Sequence, residues 1–260
     1  MNKVLILGVN GWIGSSLRYF LQDNYHILQF NRQNLNNNSL ENFVFENRPQ
    51  YILNCMRGQE DYIFINLVNL CKNFDIKLIH FGSSSENLNT RTNLGIYGSE
   101  HKPSDYATKK MGESRIIQTY LDVQQYLIIK LFNVVGNSQP IHTALGDIAY
   151  KLINSQDGFF TLSDYDIKRD YINLDTVNQF VEFSLKNNLN GVIELGSGDS
   201  IALYDVVNEM CESLSVNLIK GELALNRLRD TSADISYLTK MDFFIPQLAP
   251  SQISKMVLQT

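Results

Sequence analysis

Tyr106 and Lys110 stand four residues apart in Tyr106-Ala107-Thr108-Lys109-Lys110, a spacing that puts both side chains on one face of a helix. A free phenol, with pKa ~10, supplies little phenolate near neutrality, and a neighbouring ammonium favours the charged form. Such a pair can give and take a proton at a reacting oxygen. Upstream, Gly82-Ser83-Ser84-Ser85-Glu86 follows an apolar run that ends at Phe81. Ligand groups of open α/β sheets gather beyond the C-terminal ends of strands, so a hydroxyl here, Ser83 or its neighbour Ser84, can hydrogen-bond the same oxygen.

A third feature lies at the start of the chain. Gly8-Val9-Asn10-Gly11-Trp12-Ile13-Gly14 joins a run that reads as a strand to one that reads as a helix, the context a dinucleotide fingerprint requires. The first two glycines are one residue further apart than in G-x-G-x-x-G. Gly8 permits a tight turn, Gly11 lets the backbone approach a pyrophosphate, and Gly14 lets helix and strand pack closely. The helix start then offers N–H groups to phosphate oxygens. At the end of the second strand, where a carboxylate usually takes the ribose hydroxyls, the chain has Asn31-Arg32. A guanidinium there suits a 2′-phosphate, so NADP is the preferred cofactor and NAD the alternative.

These groups need elements to hold them. Lys3–Leu7, Tyr25–Phe30, Tyr51–Cys55, Lys77–Phe81 and Leu127–Phe132 read as strands. Trp12–Leu21, a segment from about Leu40 to Glu46 capped by Ser39, Phe64–Asn73 and Asp105–Tyr120 read as helices. Residues 82–104 are rich in Ser, Asn and Gly and read as loop. After Val135 the pattern weakens to a helix at Ile141–Ile153, a strand at Gly191–Leu195 and a helix at Leu203–Leu214. Alternating strands and helices predict an α/β fold, a doubly wound parallel Rossmann sheet with a small interleaved C-terminal lobe. The expected division is 1–136 plus about 165–200 for the sheet domain, and about 137–164 and 201–260 for the lobe.

Composition narrows the classes of function. The 260 residues carry a formal net charge of −5, with no run of Lys and Arg of the kind a nucleic-acid surface shows. The apolar run at the N-terminus is about five residues long, below the ~7–15 of a signal segment, and no segment approaches the ~20 of a membrane span. Cys55, Cys71 and Cys211 are scattered and odd in number, which points to a reducing, cytoplasmic setting without disulfides. Neither they nor the four histidines show ligand spacing, so no metal is expected.

Glycine turn, serine loop and Tyr-x-x-x-Lys, in that order, resemble the extended short-chain dehydrogenases/reductases, also called NAD-dependent epimerase/dehydratases. The resemblance extends through Leu131-Phe132-Asn133-Val134-Val135-Gly136, Arg169-Asp170-Tyr171-Ile172-Asn173-Leu174-Asp175 and Gly191-Val192-Ile193-Glu194-Leu195-Gly196-Ser197-Gly198. It implies that Ser83, Tyr106 and Lys110 are catalytic, with Tyr106 the acid/base. It implies cofactor contacts at Gly8, Gly11, Trp12, Ile13, Gly14, Asn31, Arg32, Cys55, Lys110 and Phe132. Ser84, Asn133 and Arg169 would bind substrate, the last two near its diphosphate. A homodimer is implied too, packed partly through the Tyr106 helix. The chain departs from the family pattern twice: Asn87 stands where a tyrosine is expected, with Tyr97-Gly98 coming later, and Glu194 replaces the usual Asn.

The reaction follows from the serine loop. Dehydratases of this family carry Asp-Glu directly after the catalytic hydroxyl, whereas Ser83 is followed by Ser84 and Ser85, and Glu86 is displaced by two positions. The loop is more similar to that of the 4-keto-6-deoxy nucleotide-sugar reductases. The expected activity is therefore NAD(P)H-dependent reduction of such a nucleotide sugar. An NAD-dependent 4-epimerase is the alternative, ahead of a dehydratase or a non-catalytic NADP-sensing protein.

Overall fold

The computed structural model describes residues 1–30, 37–57, 61–87, 104–163, 165–223 and 230–259. In chain order the first elements are β1 (Lys3–Leu7), α1 (Trp12–Leu21), β2 (His26–Gln29), α2 (Asn37–Asn47), β3 (Tyr51–Asn54), α3 (Asp61–Asn73), β4 (Lys77–Ser83), α4 (Asp105–Tyr120) and β5 (Tyr126–Leu131). There follow β6 (Asn133–Val135), α5 (Ala144–Ile153), β7 (Phe159–Leu162), β8 (Lys168–Arg169), β9 (Tyr171–Asn173), α6 (Leu174–Lys186) and β10 (Gly191–Leu195). The chain closes with β11 (Ile201–Ala202), α7 (Leu203–Leu214), β12 (Asn217–Lys220), β13 (Asp230–Thr231), α8 (Ser236–Lys240) and α9 (Pro250–Leu258). Two compact units divide it: Met1–Glu86, Ser104–Leu131 and Asn178–Ile193 form the first, and the remainder forms the second.

The first unit is built on a six-stranded sheet of order β10-β5-β4-β3-β1-β2. Every pair from β2 through β1, β3 and β4 to β5 is parallel. Strands of such a sheet are covered on both faces, and accordingly Val4 to Leu7 of β1 and all of β4 are buried. The helices cover the sheet with apolar faces, Leu17 and Leu21 from α1, and Phe64, Leu67, Val68 and Cys71 from α3. The α/β doubly wound expectation is met. From β1 the chain runs to β2 on one side and then to β3 on the other. That reversal is the switch point at which such sheets bind ligands.

The second unit carries three small sheets. β6 pairs with β9 and β7 with β12, both parallel, while β8 lies between β11 and β13. Leu145, Ile148, Leu152, Val206, Met210, Ile253 and Val257 of α5, α7 and α9 share its core.

Three local expectations need correction. Ser39 does not cap α2 but lies inside it, since the helix begins at Asn37. Helix α5 begins at Ala144, not Ile141, because the Thr143 hydroxyl accepts the Gly146 N–H at 3.2 Å and fixes the start there. Gly82 and Ser83 belong to β4, and Ser84–Asn87 forms a 3₁₀ turn, whereas the sequence pattern predicts loop for both stretches.

Candidate active site

The glycine turn forms as its residue types demand. Gly8 has φ 79°, a left-handed conformation, and a Cβ there would sit 2.8 Å from the carbonyl carbon and oxygen of Cys55. A Cβ on Gly14 would collide with the Gly8 carbonyl oxygen. β1, β3 and the start of α1 therefore meet backbone to backbone. Gly11 is the N-cap of α1, donates its N–H to Gly8 O at 2.9 Å and supplies no side-chain cap. Beyond Gly8 O, 3.2 Å away, nothing would meet a Cβ on Gly11, so the backbone is bare toward a ligand. Trp12, Ile13 and Gly14 make the first turn of α1, the positive end of its dipole. A cradle of glycines with an uncapped helix start fits the pyrophosphate of a dinucleotide. Cys55 enters through its backbone: its N–H donates to Leu7 O at 2.9 Å. Burial pushes its thiol well up, against the opposing charge of Lys110, so it remains a neutral thiol. Asn31 and Arg32 lie outside the described residues.

Ser83 ends β4 and is buried. Its hydroxyl accepts from Ser85 Oγ at 2.8 Å and from the Ser85 N–H at 3.2 Å. Its own N–H donates to Glu86 Oε1 at 2.7 Å, and Glu86 Oε2 takes the Ser114 hydroxyl at 2.7 Å. Lys130 Nζ stands 3.8 Å from the same oxygen. Glu86 thus turns inward and pins the serine turn to α4. Ser84 opens the turn and is half-buried.

Helix α4 starts at a Ser104 cap, whose hydroxyl accepts the Ala107 N–H at 3.2 Å. Tyr106 lies in the first turn and is exposed, with the Arg57 guanidinium 5.9 Å from its ring centre, within cation–π range. One turn on, Lys110 is buried: its Nζ donates to Phe81 O at 3.0 Å and to Glu113 Oε2 at 2.8 Å. Lys110 is thereby tied to the strand that carries Ser83. The bonds of Ser83 and Lys110 run to Ser85, Phe81 and Glu113, not to the Tyr106 hydroxyl.

Behind Lys110 lies a polar row drawn from α4, β4 and β3. Glu113 Oε2 is 3.3 Å from His80 Nε2, without the alignment of a full hydrogen bond. His80 Nδ1 is 3.2 Å from Asn54 Nδ2, and Asn54 Oδ1 accepts the Met56 N–H at 3.2 Å. Burial lowers His80 to about 4 and keeps it neutral. Burial would raise Glu113, but His80 and Lys110 outweigh it and hold the carboxyl at about 2.

In the second unit Phe132 is buried and donates its N–H to Leu195 O at 3.1 Å. Asn133 is half-buried, and its side-chain amide donates to Asp170 O at 2.8 Å. Arg169 is half-buried and donates from Nη1 to Lys168 O at 3.0 Å. Beside it the fully buried Asp170 carboxylate accepts the Ser197 N–H and hydroxyl at 2.7 and 2.8 Å and the Gly198 and Ala233 N–H groups at 2.9 Å. Burial raises its pKa against those donors. Among the described residues no group of His, Cys, Asp and Glu could hold a metal ion, and no helix is long and apolar enough to cross a membrane.

A sequence profile of the NAD dependent epimerase/dehydratase family matches residues 4–196. No curated protein matches the chain by sequence. Among solved structures it is similar to RMD from Pseudomonas aeruginosa complexed with NADPH, at 15% identity and TM-score 0.75, over 99% of this chain and 98% of that one. It is similar to a UDP-N-acetylglucosamine 4-epimerase from Methanobrevibacter ruminantium M1 in complex with UDP-N-acetylmuramic acid, at 19% identity and TM-score 0.77, over 100% and 96%. The dTDP-glucose 4,6-dehydratase of Bacillus anthracis str. Ames in complex with NAD matches at 15% identity and TM-score 0.77, again over 100% and 96%. At such identities these likenesses establish the shared fold.

Proposed function

The chain belongs to the NAD dependent epimerase/dehydratase family, and from that premise we propose that it reduces the 4-keto group of a 4-keto-6-deoxy nucleotide sugar, with NADPH preferred over NADH. When bound, the reduced nicotinamide supplies the hydride. Tyr106 gives its proton to the forming alkoxide, Ser83 orients the carbonyl, and Lys110 binds the ribose and favours the Tyr106 phenolate that remains. Gly8, Gly11, Trp12, Ile13, Gly14, Cys55 and Phe132 shape the cofactor site, with Arg32 on the 2′-phosphate. Ser84, Asn133 and Arg169 hold the nucleotide sugar, the last two at its diphosphate. The protein acts as a cytoplasmic homodimer. Three free cysteines accord with that compartment.

The observation that carries this reading is the inward turn of Glu86. A dehydratase needs a carboxyl group free to remove a proton or protonate a leaving hydroxyl. Glu86 spends its two oxygens on Ser83 N–H and the Ser114 hydroxyl, with Lys130 beside it, so the serine turn presents hydroxyls to a carbonyl. Reduction of a ketone needs no carboxyl acid or base besides: the reduced nicotinamide would supply the hydride and Tyr106 the proton.

Fluorescence titration with NADPH and NADH, followed by a panel of 4-keto-6-deoxy nucleotide sugars at the reduced-nicotinamide absorbance band, tests the proposal. NADPH oxidation by one of them supports it and names the substrate. Reduced cofactor that binds without being consumed, or NAD that co-purifies tightly, favours 4-epimerisation instead. A protein that binds neither cofactor refutes the reading of the glycine turn.

A further inference from the structure

The inward face of α4 is polar where a covering helix is ordinarily apolar: Lys110, Glu113 and Ser114 are buried between Ala107 and Ile117. Ser114 serves Glu86. Glu113 has no part in the chemistry proposed above, yet its carboxylate is almost wholly enclosed and ionised. An enclosed carboxylate is costly unless paired on good geometry, and its surroundings show what it is paired for.

An ammonium has three donors. Those of Lys110 go to Phe81 O at 3.0 Å and to Glu113 Oε2 at 2.8 Å, which leaves one N–H in a fixed direction. Lysine is otherwise a point charge on a flexible four-carbon stem. Two bonds to groups on different elements, β4 and α4 itself, remove that freedom. The carboxylate is fixed in turn. Asn54 Oδ1 takes the Met56 N–H, so its amide nitrogen faces His80 Nδ1 at 3.2 Å. With a donor facing Nδ1, the imidazole proton sits on Nε2, the nitrogen 3.3 Å from Glu113 Oε2. A neutral imidazole, a carboxylate and an ammonium sum to zero charge, so the row can be buried without an uncompensated ion.

We propose that Glu113 is a positioning residue for Lys110: its carboxylate, backed by His80 and Asn54, holds the ammonium against the Phe81 carbonyl and directs the remaining N–H to the ligand. The inference rests on the proposed use of Lys110 by cofactor and Tyr106, but Lys110 itself can be read without either. The test is pH-dependent reductive methylation of the intact protein, followed at Lys110 by mass spectrometry, in wild type, Glu113→Gln and Glu113→Asp, with Lys109 as the internal control. Without its counter-charge the buried ammonium deprotonates more readily, so labelling of Lys110 in Glu113→Gln begins about one pH unit lower or more. Glu113→Asp, which keeps the charge, returns the onset toward wild type.

Turnover supplies the second readout. In Glu113→Gln, kcat/KM falls increasingly as pH rises and recovers on acidification, whereas loosening of the fold would lower it alike at every pH. An unchanged labelling onset, or a loss of kcat/KM independent of pH, overturns the proposal. Should Glu113→Gln fail to fold, the double variant Glu113→Gln/Lys110→Met decides: pairing predicts that it folds and is the more stable of the two, and a double variant no better than the single one overturns the proposal. A wild type that reduces no nucleotide sugar defeats the proposed function, and the labelling onset still tests the role of Glu113.

Discussion

The Asn87 side-chain amide donates to Glu194 Oε1 at 2.6 Å. The sequence resemblance leads one to expect a tyrosine and an asparagine at these two positions, and the structure joins the residues that stand there instead. A carboxylate can only accept, so it requires the amide nitrogen of Asn87 on that side. The other oxygen, Oε2, accepts the Asp234 N–H at 2.8 Å. Glu194 thereby ties the end of the serine turn to the segment before α8. Each replacement makes physical sense given the other.

That pairing predicts a coupling. In a double-mutant cycle of Asn87→Ala and Glu194→Ala, followed by chemical denaturation, the two losses should fall short of additivity by roughly 1–2 kcal/mol. Additive losses would show that the contact contributes nothing.

Tyr106→Phe keeps the ring and its approach to Arg57 but removes the proton donor. Turnover should fall by about 10²–10⁴-fold, while the dissociation constant for NADPH stays within roughly twofold, because the pyrophosphate cradle is elsewhere. Steady-state kinetics and fluorescence titration check the two halves. Surviving turnover would remove Tyr106 from the mechanism.

Glu86→Ala strands the Ser83 N–H and the Ser114 hydroxyl, both buried donors. The expected loss is about 2–5 kcal/mol of stability, read as a lower denaturation midpoint. If Glu86 were an acid or base of a dehydratase, the same change would abolish elimination and leave the midpoint nearly in place.

His80 titrates at about 4 in the fold because burial disfavours its charged form, against 6.5 in the unfolded chain. Between those values the unfolded state binds more protons, so stability is fully present above about pH 6.5 and declines as pH falls through about 4, by up to ~3 kcal/mol. Glu113, held at about 2, stays ionised through this window. His80→Gln, which cannot titrate, should flatten the pH dependence of the melting temperature between pH 6.5 and 4. An unaltered acid slope would place the titrating group elsewhere.

Local structure is legible in the sequence where side-chain type alone sets it. Lys3–Leu7, Trp12–Leu21 and Asp105–Tyr120 appear with the bounds their patterns predict, because an apolar run, a glycine turn or a capped polar helix specifies itself locally. Gly8 and Gly14 are glycines because Cys55 backbone and Gly8 carbonyl occupy the space of a Cβ. The Glu113–His80–Asn54 row escaped because its members lie on three elements and become neighbours only when β3, β4 and α4 pack. A polar stripe at helical spacing, Lys110, Glu113 and Ser114, was the available signal, and a search for apolar periodicity passes over it. Helix α6 escaped as well, although Val177, Phe180, Val181 and Leu185 recur at helical intervals and are buried. The small sheets of the second unit pair residues far apart, such as Asn133 with Tyr171, and strands of two to four residues carry too little pattern to be read singly.

The central claim is hydride delivery to a 4-keto carbon, and isotope transfer tests it most directly. The protein is incubated with NADPH deuterated on the transferable C4 position and with the 4-keto-6-deoxy nucleotide sugar that it consumes, and the product is analysed by mass spectrometry and NMR. The account predicts one deuterium, bound to sugar C4, for each NADPH oxidised. No deuterium at sugar C4 and no loss of reduced cofactor, with a 4-hydroxy nucleotide sugar instead converted to its C4 epimer, would contradict it and make the protein an epimerase.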